Sequence, residues 1–317
     1  MKTARKEQNF KKILLADNRQ RFEAQLVNIK TNLQVLALFL LCLLSLLSVW
    51  PYLTTSSIST SPMKIAEANP PVKASTKAYP CKERHDYGGK YGGLYQSQAR
   101  EDKIIIQKYF DQVCGGTYIE MGGFDGKTFS NTYVFHKAAD WKGVLVEASP
   151  TNYAKMIVNR PNEIANVNAG VCSEERDLHW VNKNGRKGAV SGFVEFAAES
   201  FKKQWWTEQQ IRDATIVRCR TLKSILHEIA VGDQFHFDIF SLDVEGAELE
   251  ALSSLDFNLV SFGIILVESD NHNELKNKEV KKILTKNGYK YDFDRQNSQW
   301  FVNENFDAIY DGVTMKH

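Results

Sequence analysis

Three carboxylates that end apolar runs, Glu120, Glu147 and Asp243, are the groups in this chain placed to do chemistry. Glu120 closes Tyr118-Ile119-Glu120, and Gly122, Gly123 and Gly126 follow within a few residues. A short strand, a glycine turn and a helix start form the local order by which open α/β sheets bind a cofactor. Glycine supplies the turn dihedrals and lets the backbone approach a ligand closely. Glu147 ends Gly143-Val144-Leu145-Val146. In nucleotide-type sites an acid there accepts hydrogen bonds from ribose hydroxyls. Glu120 and Glu147 lie 27 residues apart, room for a turn, a helix and a return strand, so both fall on one rim. The dinucleotide pattern G-x-G-x-x-G is absent, since Gly122 is followed by x-x-x-Gly126. Asp243 ends the run 238–242 on the same rim.

A sheet must carry these acids. Apolar runs at 117–120, 144–147, 164–168, 238–242 and 262–268 predict five strands. Helical segments are predicted at 128–139, 150–159, 221–230 and 247–255. Strands separated by helices imply a parallel sheet with right-handed crossovers. A further helix is expected at 279–287, and runs 289–293 and 299–303 read as an antiparallel hairpin at the sheet edge. A helix at 100–113 covers one edge, and 177–182 is an extra strand. The insertion 184–215 carries Trp205-Trp206 beside Lys202-Lys203. Those rings either stack on a sugar or belong to an amphipathic helix packed on the core.

The acid-x-Gly-x-x-x-Gly form of 120–126 resembles motif I of S-adenosylmethionine (SAM) methyltransferases, with Phe124 in place of a middle glycine. Segments 118–131, 141–152, 167–174 and 237–252 resemble, in order and spacing, the motifs of FkbM-type methyltransferases. The resemblance implies an α/β fold: a Rossmann-like class I methyltransferase sheet, mostly parallel, with the C-terminal antiparallel hairpin. It also implies SAM as cofactor and O-methyl transfer to a glycan or another hydroxyl-bearing acceptor. Glu120, Gly122 and Gly126 then serve the amino-acid tail of SAM, Glu147 the ribose and Asn168 the adenine. Asp125 and Asn131 contact the tail, although Asp125 can equally cap a helix. Asp243 or Glu245 acts as general base or positions the hydroxyl, while Glu248 caps or solvates a helix. Asp243, Glu268, Asp270 and Asn271 are oxygen ligands arranged as in metal-dependent O-methyltransferases, but strand-end acids are common without an ion. A second reading is non-catalytic, because some membrane-anchored proteins with this domain, such as the fly trafficking factor Star, act as cargo receptors.

The N-terminal part has another character. Residues 1–32 carry eight Lys/Arg against three acids, and 33–50 is an uncharged, Leu-rich run. At 1.5 Å per residue such a run approaches the thickness of a bilayer core. The positive flank predicts a cytosolic tail (1–32), a transmembrane signal-anchor (33–50) and a disordered Ser/Thr/Pro stem (51–80). Residues 81–317 are then lumenal, in a type II protein of the secretory pathway, in the Golgi. Cys81, Cys114, Cys172 and Cys219 allow three pairings, of which Cys81–Cys114 with Cys172–Cys219 is expected. No Asn-x-Ser/Thr acceptor occurs, and a net charge of +2 gives no case for nucleic-acid binding.

Overall fold

The computed structural model describes residues 76–183, 190–229, 235–269 and 273–314. The predicted tail, anchor and most of the stem lie outside the described residues, as do Asp270 and Asn271. Among the described residues no helix is long and apolar enough to cross a membrane.

The chain opens with β1 (Tyr79–Pro80), α1 (Glu101–Lys108), β2 (Val113–Cys114) and β3 (Thr117–Met121). There follow α2 (Tyr133–Ala138), β4 (Lys142–Glu147), α3 (Pro150–Asn159), β5 (Ala165–Asn168) and β6 (Gly170–Val171). The insertion region holds β7 (Arg176–Val181), β8 (Gly192–Phe193), α4 (Glu199–Trp205), α5 (Glu208–Arg212) and β9 (Thr215–Arg220). The second half has α6 (Leu222–Ile229), β10 (Phe235–Leu242), α7 (Glu248–Ser253) and β11 (Val260–Glu268). It ends with α8 (Glu274–Lys286), β12 (Tyr289–Arg295), β13 (Ser298–Asn303) and α9 (Phe306–Ile309).

Seven strands form the main sheet in the order β12-β13-β11-β10-β3-β4-β5. The pairs β11–β10, β10–β3, β3–β4 and β4–β5 are parallel, and β13 runs antiparallel to both its neighbours. This is the Rossmann-like class I methyltransferase order, with the hairpin folded in so that its later strand lies inside. Strand residues alternate between two cores. Ile119, Val144 and Phe240 face α6, α7 and α8 through Leu222, Leu252 and Leu284. Tyr118, Leu145 and Ile239 face the other layer through Ile105, Phe135 and Trp141. Burial on both faces is why these strands read as continuous apolar runs rather than alternating ones.

α3 lies where it was expected, because Ser149 accepts from the Asn152 N–H and Pro150 starts the helix. The helix expected from 128 begins only at Tyr133. Asp125 takes the N–H groups of Lys127 and Thr128 and the Thr128 hydroxyl into a local turn. Phe129 then adopts φ +66°. α8 starts a turn earlier than expected, since the Asn273 side chain accepts from the Lys276 N–H.

The extra strand at 177–182 does exist, as β7, but it belongs to a second sheet of order β6-β9-β7-β8. The insertion packs on the protein: Trp206 is buried and its indole donates to the Val190 carbonyl, while Trp205 is 42% exposed. Both expected disulfides are formed, Cys81–Cys114 between β1 and β2 and Cys172–Cys219 at the β6–β9 edge. Cross-linking residues 47 positions apart removes unfolded-state entropy worth about 4 kcal/mol.

Candidate active site

The strand order reverses between β3 and β10, which is where open α/β sheets leave a crevice. A cleft opens there, at the carboxyl ends of β3, β4 and β10. Glu120, Gly122, Asn131, Glu147, Asp243 and Glu245 line it. Asp125, Gly126 and Asn168, expected with them, do not. Trp180 of β7 and Phe193 of β8 bring the second sheet to the same wall, with ring centroids 4.9 Å apart.

Glu147 is buried, with one oxygen on the Phe124 N–H at 2.9 Å and the other on the Ser149 N–H at 2.8 Å. Burial outweighs those two donors and pushes its carboxyl up to about 7. Phe124 does not break the turn. It takes φ +48°, the left-handed conformation glycine favours. Such strain is commonly stored at functional sites. Phe129 and Glu245, at φ +66° and +52°, line the same cavity. Gly122, at φ +76°, has no alternative, because a Cβ there would lie 1.8 Å from the Asp243 carbonyl oxygen.

The remaining cofactor-side residues divide differently from the expectation. Glu120 accepts from Ser130 Oγ, the Asn131 N–H and Thr132 Oγ1, so most of its acceptor capacity holds the 130–132 loop. Asn131 reaches the cavity while its amide nitrogen donates to Ser241 Oγ at 2.9 Å. Asp125 is committed to its own turn, as a cap would be. Gly126, at φ +78°, packs against Arg160 and Met156, which makes it a packing residue. Asn168 donates to the carbonyls of Glu147 and Ala148, so its amide secures the end of β4; Ala169, Gly170 and Val171 line the wall instead.

Arg160, unnoticed in the sequence, ties this half together from beneath. Its fully buried guanidinium donates to the Gly126 carbonyl, Ser130 Oγ, Tyr118 Oη, Thr132 Oγ1 and Glu163. Burial alone would raise the Glu163 carboxyl, but His136, Arg160 and Tyr118 hold it down at about 2. No local pattern betrays Arg160, since its partners Tyr118 and Thr132 lie 42 and 28 positions away.

The other half of the rim gathers acids. Oxygens of Asp243, Glu248 and Glu268 lie within 4.8 Å of one another. Glu248 is fully buried; it accepts from the N–H groups of Val244 and Gly246 and pairs with the buried Lys276. It therefore caps the turn before α7 but does not face solvent. Asp243 and Glu268 stand close together with Glu248 beside them. Burial, then the nearby Glu248, raises Asp243 to about 6, although its side chain still meets solvent in the cleft. Burial and the Asp243 charge raise Glu268 well above the carboxylate range. The trio is close enough to meet one divalent ion. With Glu248 committed to Lys276, Asp243 and Glu268 remain as the ready ligands.

The family model described as the methyltransferase FkbM domain matches residues 116–291, more than half of the 317-residue chain. Among solved structures, the chain is similar to the methyltransferase FkbM from Methylobacillus flagellatus at 10% identity and TM-score 0.35, covering 67% of this chain and 49% of that one. It is similar to a TehB-like SAM-dependent methyltransferase from Corynebacterium glutamicum at 9% identity and TM-score 0.34, covering 64% and 86%. A ribosomal protein L11 methylase from Lactobacillus delbrueckii gives 10% identity and TM-score 0.34, covering 64% and 75%. No curated protein matches the sequence. The domain match spans both halves of the rim, the glycine turn with Glu147 and the Asp243 cluster alike, and this chain belongs to the SAM-dependent FkbM methyltransferase family.

Proposed function

We propose that this protein transfers the methyl group of SAM to a hydroxyl of a glycan or glycoconjugate in the lumen of the secretory pathway. The observation that carries the reading is the position of Asp243, a solvent-exposed carboxylate lining the same cleft as Glu147. The cleft fits the cofactor in the bare backbone at Gly122 and in the buried acid at the end of β4. Bound SAM supplies a methyl group activated by its sulfonium. Glu147, oriented by the Phe124 and Ser149 N–H groups, accepts from the ribose hydroxyls. Asn131 and the remaining acceptor capacity of Glu120 hold the amino-acid tail. Asp243 takes the proton from the acceptor hydroxyl as its oxygen attacks. General-base assistance of this kind contributes about 10²- to 10⁴-fold. Glu245, one residue past Val244 in a strained turn, positions the acceptor.

Calorimetric titration of the full chain with S-adenosylhomocysteine tests the cofactor half. Binding is expected, with Glu147→Ala weakening it by about 1.5–3 kcal/mol, the loss of a charge-assisted contact. A folded protein that binds nothing would move the reading to a cargo receptor. Phe124, the departure that favours that rival, keeps a glycine-like turn.

Lumenal placement rests on the basic flank before the apolar run 33–50 and on two disulfides, which persist in oxidising compartments. The natural chain has no N-glycosylation acceptor, so one can be added against a clean background. Ala74→Asn completes Asn-Ser-Thr, and the expected result is an endoglycosidase-sensitive mass shift in cells. An unshifted, well-expressed variant would put the domain in the cytosol.

A further inference from the structure

A second cavity continues the first. Gln98, Phe129, Asn131, Ser241 and Asp243 belong to both. From that shared wall it extends over the ends of β10 and β11 to the turn between β12 and β13, where Gln296 sits at φ +50° and Asn297 beside it. Its ionisable lining is Glu101, Asp243 and Glu268; among the described residues around it there is no Lys, Arg or His. The cation nearest this acid group, Lys276, is buried and paired with Glu248. The wall of this cavity thus carries three acids and no lining base. The rest of the polar lining is amide and hydroxyl, groups that both donate and accept and so match sugar hydroxyls.

We propose that this second cavity is the acceptor subsite and that it selects uncharged or amine-bearing sugars while excluding anionic ones such as uronides and sulfated sugars. The inference rests on the hydroxyl-methyltransferase reading above and adds the charge class of the substrate. A carboxylate or sulfate in this cavity faces Glu101, Asp243 and Glu268 and no lining cation, so like charges oppose it. A neutral hydroxyl meets no such penalty, and a protonated amine is attracted.

The test uses the full chain in detergent, isotope-labelled SAM, and three acceptors that differ only in charge: a methyl glucoside, the matching glucosaminide and the matching glucuronide. The glucoside and glucosaminide are expected to exceed the glucuronide at least tenfold in kcat/KM. Raising the ionic strength should narrow the gap, because screening weakens the repulsion. Glu101→Gln keeps an acceptor for the Ala99 N–H and should raise the glucuronide-to-glucoside ratio at least threefold. Equal or better use of the glucuronide, or a ratio that Glu101→Gln leaves unmoved, overturns the inference. If none of the three is methylated, the parent reading for these sugars fails, and charge selection is judged on binding. Saturation-transfer NMR with S-adenosylhomocysteine present then decides. A glucoside signal with a weak glucuronide signal supports it; equal signals, or none, overturn it.

Discussion

Two clusters of buried charge flank the cleft, built from nearly the same residue types and doing different things. Under the β3–β4 half, Arg160 is surrounded by Glu120, Glu163, Tyr118 and Thr132, and its donors find acceptors. Under the β10–β11 half, Lys276 is bound to Glu248, and this one cation stands beside three clustered acids, Asp243, Glu248 and Glu268. The pKa directions report the contrast: Glu163 is held at about 2, Asp243 is raised to about 6. A compensated cluster fixes a loop; an uncompensated one keeps a base poised near its working pH.

Removing the cation from the compensated side should do the greatest damage. Arg160→Met strands Glu120 and Glu163 in the interior, and a loss of about 3–5 kcal/mol is expected, a large part of a typical domain's stability. Urea denaturation measures it, and a loss below 1 kcal/mol would mean the two clusters are not different in kind.

On the other side the same experiment should reverse. Asp243→Asn is expected to lower kcat about 10²- to 10⁴-fold with S-adenosylhomocysteine affinity little changed. It should not destabilise the fold at neutral pH. Because the folded protein holds the Asp243 proton more tightly than the unfolded chain does, native Asp243 weakens stability as pH rises from about 4 to about 6. The variant should therefore melt above the native protein at pH 7.5 and converge with it near pH 3.5. Glu163 runs opposite: its stabilisation is present above pH 4.5 and is lost as pH falls toward 2. Methyl transfer should rise with pH through about 6 as Asp243 is freed.

The smallest effect expected is that of chelation. With Glu248 committed to Lys276, EDTA should change the rate by less than twofold. A tenfold loss restored by Mg²⁺ would assign proton removal to an ion-bound oxygen and remove the contrast.

Much of the scaffold was legible because it is written locally. Apolar runs ending in Glu120, Glu147 and Asp243 identify the strands that converge on the rim, and Ser149-Pro150 fixes the start of α3. The second sheet was harder. β9 was passed over because Ile216 points to solvent and the strand follows a long insertion, so its alternation resembles a surface segment. At Asn168 the sequence leaves two orientations, because an amide at a strand end can face a ligand or the neighbouring strand; its nitrogen donates to the Glu147 and Ala148 carbonyls.

The amino-acid sequence by itself determined which residues end the strands, where the chain turns on glycine and which family the domain joins, because those features depend on neighbours a few positions away. Only the tertiary structure decided which acids are neutralised. Glu120 was drawn into the loop it supports, and Asp243 was set against Glu268 instead of beside a cation. Compensation of a buried charge depends on groups brought close in space from positions far apart in the chain, and a local motif carries no record of them.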